Sequence, residues 1–328
     1  MQSRNTSADF WHQKPYYSLD AWCKNTYGRK LYKAALDIGC TCPNRDGTLD
    51  TRGCIFCSAG GSGDFAASRQ LSVTDQLNQA KALLSSKWTP EPGKPSLIAY
   101  FQAYTNTYGD PDRLLSCYEE ALSSPEVAGI SIATRPDCLS DIILEGLDRL
   151  RLLYPDRFIW IELGLQSIHD HTAARIRRGY PTSVFYDAAA KLHARRLPFI
   201  VHLILGLPGE TRLDLLESIR AVNQVHPFGV KLQLLHILKG TDLALLYEAG
   251  KLPVLTQEEY LDLLTSCIAA LSPDICLHRV TGDGPRKLLI APQWSLSKRN
   301  VLNGLHALMK QRNLRQGDNY EPGTSYTL

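Results

Sequence analysis

The sequence predicts an α/β fold: a parallel sheet of about six β-then-α units, curved into a barrel or partial barrel of the TIM type. Three observations carry that expectation. Short apolar runs alternate with stretches of helical periodicity along most of the 328 residues. Polar residues collect directly after the apolar runs, and a group of cysteines follows the first of them.

The first strand is expected near Leu36, and the others over Leu97 to Phe101, Gly129 to Ala133, Phe158 to Leu163, Phe199 to Leu205 and Val230 to Leu234. Helical patterns occupy 73–86, 112–122, 141–153, 184–195 and 212–226, several opened by a Ser, Thr or Asp that can cap the first turn. Strand followed by helix, repeated, demands crossovers and therefore parallel strands. Residues 1–33 are expected to form an N-terminal extension packed on the barrel, 34–240 the core, and 241–328 a C-terminal extension. The N-terminal aromatics Trp11, Tyr16, Tyr17, Trp22, Tyr27 and Tyr32 lie among basic residues. They read either as rings packed over one end of the barrel or as a base-stacking surface. Thr89 to Lys94 reads as a surface excursion.

With 44% hydrophobic residues the chain can bury a large core, and a net charge of +3 permits an anionic partner without demanding one. No apolar run is long enough to span a bilayer, so no membrane association is expected. The polar start, Met1 to Ser7, has no apolar segment behind it, so no secretory signal is expected. Nine cysteines, an odd number with four of them grouped, read as metal chemistry in a reducing, cytoplasmic compartment rather than as a disulfide framework.

The grouped thiols are Cys40, Cys42, Cys54 and Cys57. An iron–sulfur cube on three thiolates leaves one iron open to a small molecule, whereas four thiolates around zinc make a closed structural knuckle. Cys40 and Cys42 are too close to reach separate corners easily. Cys42 is the better ligand, because Pro43 fixes the backbone after it and starts a turn rich in turn formers toward Cys54. Cys40 ends an apolar-biased run, where a half-buried small thiol is ordinary. Spacing alone leaves the open cluster and the zinc knuckle both standing. In a barrel, chemistry belongs at the C-terminal strand ends. There lie Gln102 to Asn106, Thr134 to Asp137, Glu162 with Gln166 and Ser167, and Gly206 to Glu210. A knuckle gives no reason for polar ends on four further strands, so the open cluster gains.

With these residues in view the chain resembles the radical S-adenosylmethionine (SAM) enzymes, and within them the YhcC-like family related to the radical domain of the Elongator catalytic subunit. The resemblance spans roughly residues 14 to 300. It is carried by Lys14-Pro15-Tyr16-Tyr17, Cys42-Pro43-Asn44-Arg45-Asp46-Gly47, Thr134-Arg135-Pro136-Asp137, Glu162-Leu163-Gly164-Leu165-Gln166-Ser167, Arg178-Gly179, Gly206-Leu207-Pro208-Gly209-Glu210-Thr211, Lys239-Gly240-Thr241 and Thr281-Gly282-Asp283. One departure stands out: the commonest loop of the class is Cys-x3-Cys-x2-Cys, and here eleven residues separate Cys42 from Cys54.

The resemblance implies a partial (β/α)6 barrel of the radical SAM class. It implies a [4Fe–4S] cluster on Cys42, Cys54 and Cys57 that binds SAM at its open iron and cleaves it reductively to a 5′-deoxyadenosyl radical. It places Phe56 against the adenine, and Gln102, Thr105 and Asn106 at the methionine amine. Glu162, Gln166 and Ser167 then serve the ribose or methionine, and Gly206 lets backbone approach the adenine side. Relatives in the Elongator branch act on tRNA wobble uridine, which makes tRNA a candidate substrate, with an electron donor such as flavodoxin or ferredoxin and a partner methyltransferase. Too few residues follow the barrel for Elongator's acetyltransferase domain, so no acetyl-dependent reaction is expected. The rivals are a radical SAM enzyme acting on a small metabolite or protein side chain, and a non-catalytic zinc-stabilised nucleic-acid-binding protein.

Arg135 can meet a carboxylate or phosphate, or form an ion pair with Asp137. Cys23, Cys117, Cys138, Cys267 and Cys276 are scattered, so no auxiliary cluster is expected. His202 and His236 read as core residues with partners. Arg286 and Lys287, followed by Lys298, Arg299, Lys310, Arg312 and Arg315, read as a phosphate-tracking or simply a solvated face, the last three being assigned to the final helix.

Overall fold

The computed structural model describes residues 10–61, 63, 66–84, 94–282 and 284–322. The expected excursion after Thr89 lies, except for Lys94, outside the described residues, as do Met1 to Ser7 and Asp283. The chain divides into two compact units: Arg29–Gly164 with Ser183–Phe199, and Met1–Gly28 with Leu165–Thr182 and Ile200–Leu328.

In the first unit, β1 (Tyr32–Leu36), β2 (Leu97–Phe101), β3 (Val127–Thr134) and β4 (Phe158–Gln166, which crosses the division at its end) pair in parallel. The register sets Leu36 beside Phe101 and Phe101 beside Ile132. All five residues of β2 are buried, as its unbroken apolar run requires. Helices α2 (Val73–Leu84), α3 (Pro111–Ser123), α4 (Asp141–Leu153) and α6 (Thr182–Ala194) belong with these strands. Pro111 opens α3 at its first turn, and Ser140 caps α4 by accepting from the Ile143 N–H. Gly146 lets α3 come close to α4, since a Cβ there would lie 2.3 Å from Leu115.

In the second unit, β5 (Phe199–Leu205), β6 (Gly229–Leu234) and β8 (Cys276–Arg279) pair in parallel, and the two-residue β7 (Ile237–Leu238) pairs antiparallel with β9 (Leu289–Ala291). Helix α7 (Arg212–Val225) opens with a capping box of Thr211 and Asp214, and α9 (Gln257–Ala270) with one of Thr256 and Glu259. Seven strands run in one sheet in the sequence order β1 to β6 and then β8. The six expected strands are all present. The seventh, Cys-Leu-His-Arg, is too short and too mixed to show a period in the sequence.

The N-terminal aromatics pack. Trp11, Tyr16 and Tyr17 are buried, and Trp11 and Tyr17 cluster with Ala21 of α1 (Leu19–Tyr27) and Cys276 of β8. The Leu277 N–H donates to Tyr17 O at 2.7 Å, and Trp22 stands edge-on to Phe228. Two short helices, α5 (Asp170–Arg175) and α8 (Asp242–Glu248), complete the second unit with the last helix, α10 (Lys298–Gln311), so of the three basic residues assigned to α10 only Lys310 lies inside; Arg312 is its cap and Arg315 lies beyond.

Candidate metal centre

The loop after β1 is built around its own carbonyls. Cys42 O accepts from the Arg45 and Asp46 N–H groups at 2.7 and 3.2 Å, and Pro43 O from Leu49 at 2.8 Å. Asn44 O accepts from the Gly53 N–H at 2.7 Å, which brings the chain back to Cys54. Gly53 has φ +76°, and a Cβ there would lie 2.7 Å from the Arg45 Nε, so the return needs glycine on both counts. Arg45 then reaches forward, its Nη2 donating to Cys57 O at 2.9 Å and Ser58 O at 2.8 Å.

Cys42, Cys54, Phe56 and Cys57 are all half-buried. Cys54 and Cys57 share a hydrogen bond, which lowers the Cys54 thiol to about 7, helped by Asn44, Arg135 and Arg45. The same bond raises the Cys57 thiol, with burial and the neighbouring Cys54 and Cys42 sulfurs acting in the same direction. The Cys42 sulfur is thus near enough to Cys57 to act on it, and of the three it is Cys54 whose surroundings favour thiolate. Asn44 donates its Nδ2 to Cys54 Sγ at 3.5 Å, and Arg135 donates its Nη1 to Cys42 Sγ at 3.8 Å. Cys40 is separate: it is 4% exposed, beside Arg113, and burial pushes its thiol up to about 11.

The strand-end residues of the first unit sit on the same loops. The Thr105 N–H donates to Thr41 O at 3.1 Å and the Gln102 N–H to Leu36 O at 3.3 Å. Asn106 is fully buried; its Nδ2 donates to Ala103 O and Ala133 O at 3.1 and 3.0 Å, which fixes the amide plane. Its Oδ1 is buried with no partner, and so is the Gln102 Nε2. An orphaned acceptor and an orphaned donor on neighbouring residues suit the ammonium and carboxylate of an amino acid, so this donor set fits the methionine end of SAM. Glu162 has partners of its own: its Oε1 accepts from Lys33 Nζ at 3.1 Å and Ser131 Oγ at 2.6 Å.

In the second unit, Gln166 has φ +63° and Gly206 φ +89°. Ser167 is buried, hydrogen-bonded to Glu210, and accepts from the His169 N–H at 3.1 Å. Arg178, 2% exposed, spends its guanidinium on Leu165 O, Ser167 O, Tyr180 O and the Thr182 hydroxyl. Of the two histidines, His202 meets Gln233 at 3.4 Å and His236 meets Ser295 at 3.1 Å. The sequence leaves Arg135 open between an ion pair and a ligand role, and the structure gives it Asp137 and a sulfur together. The structural part of Arg178 is a role the sequence does not show, since a lone Arg-Gly pair has no readable partner.

A model of the Radical SAM superfamily matches residues 42–222, more than half of the chain. The chain belongs to the radical SAM superfamily. A Radical_SAM C-terminal domain model matches residues 227–311. The chain is 40% identical over 305 residues to YtqA of Bacillus subtilis, covering 93% of this chain and 92% of YtqA. It is 36% identical over 271 residues to YhcC of Escherichia coli, covering 82% and 84%. Among solved structures it is similar to the archaeal Elp3 of Methanocaldococcus infernus, with a TM-score of 0.64 and 16% identity, over 87% of this chain and 64% of that one. That likeness bears on the α/β radical SAM fold alone. Enzymes of this superfamily use a [4Fe–4S] cluster and SAM, and this chain is one of them.

Proposed function

We propose that this enzyme holds its cluster on Cys42, Cys54 and Cys57, cleaves SAM reductively, and acts in the cytoplasm on the wobble uridine of tRNA. The observation that carries the first two parts is that one loop holds Cys54 and Cys57 hydrogen-bonded to each other with Cys42 near enough to act on Cys57, and that side-chain N–H groups are donated to the Cys54 and Cys42 sulfurs. When bound, the cluster and SAM supply an electron and a sulfonium whose cleavage gives a 5′-deoxyadenosyl radical. Asn106 accepts from the methionine ammonium through Oδ1, and Gln102 donates to the carboxylate through Nε2. Thr105 shapes the same loop through its bond to Thr41, and Phe56, beside Cys57, packs on the adenine. Glu162 positions β4 through Lys33 and Ser131. Gln166, Ser167 and Gly206 are kept as cofactor contacts on the resemblance alone.

The tRNA substrate is supported by similarity to human Elongator complex protein 3, to which this chain is 25% identical over 169 residues, 49% of this chain and 29% of that protein. A flavodoxin or ferredoxin would supply the electron and a methyltransferase would act beside the enzyme. Mass spectrometry of bulk tRNA nucleosides from cells with and without the gene tests this. A changed wobble-uridine profile is expected, and an unchanged one discards the tRNA substrate.

One observation favours the rival substrate class, a small metabolite or protein side chain. Arg212 and Arg312 both pair with Asp262, and Arg315 lies over the Trp11 ring at 5.7 Å, so part of the basic C-terminal face is spent within the chain. Affinity for tRNA that falls steeply with salt supports the first reading, and salt-indifferent behaviour the second. Anaerobic purification separates both from a zinc-stabilised binding protein: brown protein with about four irons per chain supports the cluster, and colourless protein with one tight zinc the knuckle.

A further inference from the structure

We propose that Arg135 is a positioning residue that tunes the cluster, raising its reduction potential by donating an N–H to Cys42. The inference rests on the proposed ligand set and goes beyond it. Arg135 is 8% exposed and lies just before the short 3₁₀ turn Pro136–Cys138, whose Cys138 N–H returns to Arg135 O at 3.1 Å. That turn brings Asp137 onto the guanidinium as a fork: Nε to Oδ1 at 2.9 Å and Nη2 to Oδ2 at 2.7 Å. With Nε and Nη2 committed to Asp137 the plane is fixed, and it carries Nη1 to 3.8 Å from Cys42 Sγ.

Reduction adds an electron to a thiolate-bound centre that is already negative. A fixed N–H dipole at a ligand sulfur stabilises the reduced state more than the oxidised one and makes reduction easier. Asp137 balances the charge of Arg135, so what reaches the sulfur is an oriented dipole in a poorly solvated place rather than a free cation. Asn44 donates to Cys54 in the same sense with an amide N–H, whose dipole is weaker than that of a guanidinium N–H even when the guanidinium charge is balanced. Arg113 provides the comparison. It is an arginine of the same unit that bonds Ile38 O at 2.6 Å and lies beside Cys40, which is not a proposed ligand.

The test is an anaerobic redox titration of reconstituted protein, read by the electron paramagnetic resonance signal of the reduced cluster, with iron counted for each variant. At the potential that half-reduces the wild type, Arg135→Leu is expected to lower the reduced-to-oxidised ratio by about tenfold, a shift of about 59 mV for one electron. Asn44→Ala should move it less, and Arg113→Gln not at all. An unshifted Arg135→Leu carrying about four irons overturns the tuning role and leaves the cluster assignment intact. An equal shift in Arg113→Gln overturns it too, since loss of any nearby charge would then suffice. If Arg135→Leu does not assemble a cluster, Arg135→Lys, which keeps the charge but not the fork, is judged by the same criterion. Wild-type protein that takes up no iron removes the ligand set, and this inference with it.

Discussion

Two loops of this protein begin at the ends of parallel strands and are built to opposite purposes. The loop after β4 is closed on itself: Arg178 is buried and bonds to Leu165, Ser167, Tyr180, Thr182 and Asp170, and Thr182 ties Asp170 and Ile168 together. The loop after β1 is braced by its own Asn44 and Arg45 and, from the end of β3, by Arg135, and it presents thiols that none of these contacts uses up. Near it, Asn106 Oδ1 and Gln102 Nε2 are buried without partners. The first loop spends most of its polar groups on the chain, Thr172 Oγ1 excepted, whereas beside the second lie a buried acceptor and a buried donor that suit a polar ligand.

The comparison breaks first at the thiols. Single Cys42→Ala, Cys54→Ala or Cys57→Ala variants should each lose the cluster and cut 5′-deoxyadenosine yield at least about 100-fold, whereas Cys40→Ser should keep both. Iron analysis and chromatography of the reaction check it. A Cys40→Ser variant without iron would make the site four-thiol. Arg178→Ala should instead strike stability, by about 3–5 kcal/mol, because it strands buried carbonyls of Leu165, Ser167 and Tyr180. Denaturant melts read this directly.

The second unit should also show a pH dependence of its own. Burial lowers His236 from 6.5 to about 4, with Arg279 and Lys298 adding to it. Above pH 6.5 the imidazole is neutral in both folded and unfolded chains. As pH falls toward 4 only the unfolded chain takes up the proton, so stability is lost across that window, by up to about 3 kcal/mol. His236→Gln should flatten urea-melt stability between pH 4.5 and 7. The smallest effect sharpens the contrast most. Gln102→Leu removes a buried amide nitrogen that has no partner, so the apoprotein should be no less stable, while SAM affinity falls about tenfold. Equilibrium binding to the reconstituted protein measures it, and a loss of stability with unchanged affinity would assign Gln102 to the scaffold.

Much of this was legible in the residues. The run Leu97 to Phe101 is legible because a strand buried along its whole length has nothing polar to interrupt it, and the other four are legible as mainly apolar runs even though they carry Ser131, Glu162, His202, Lys231 and Gln233. The helix over Leu19–Tyr27 was not, since its aromatics and lysines mask any stripe, and it is held by tertiary contacts to β8. Cys54 and Cys57 read as a pair from spacing, whereas the bonds from Asn44 and Arg135 to sulfur span 10 and 93 residues and depend on how the loops fold back. Long-range pairing of that kind leaves no local period.

The bond from Gly53 N–H to Asn44 O has a consequence for how such loops diverge. It pinches residues 45–52 into an appendix, so along the pinched path only Pro43, Asn44 and Gly53 separate Cys42 from Cys54. Excising the appendix would leave Cys-Pro-Asn-Gly-Cys-Ile-Phe-Cys, the short spacing of the commonest members of the class. The extra residues thus lie off the path that joins the two thiols, where added length costs little in loop entropy, although Arg45 among them also bonds Cys57 O and Ser58 O.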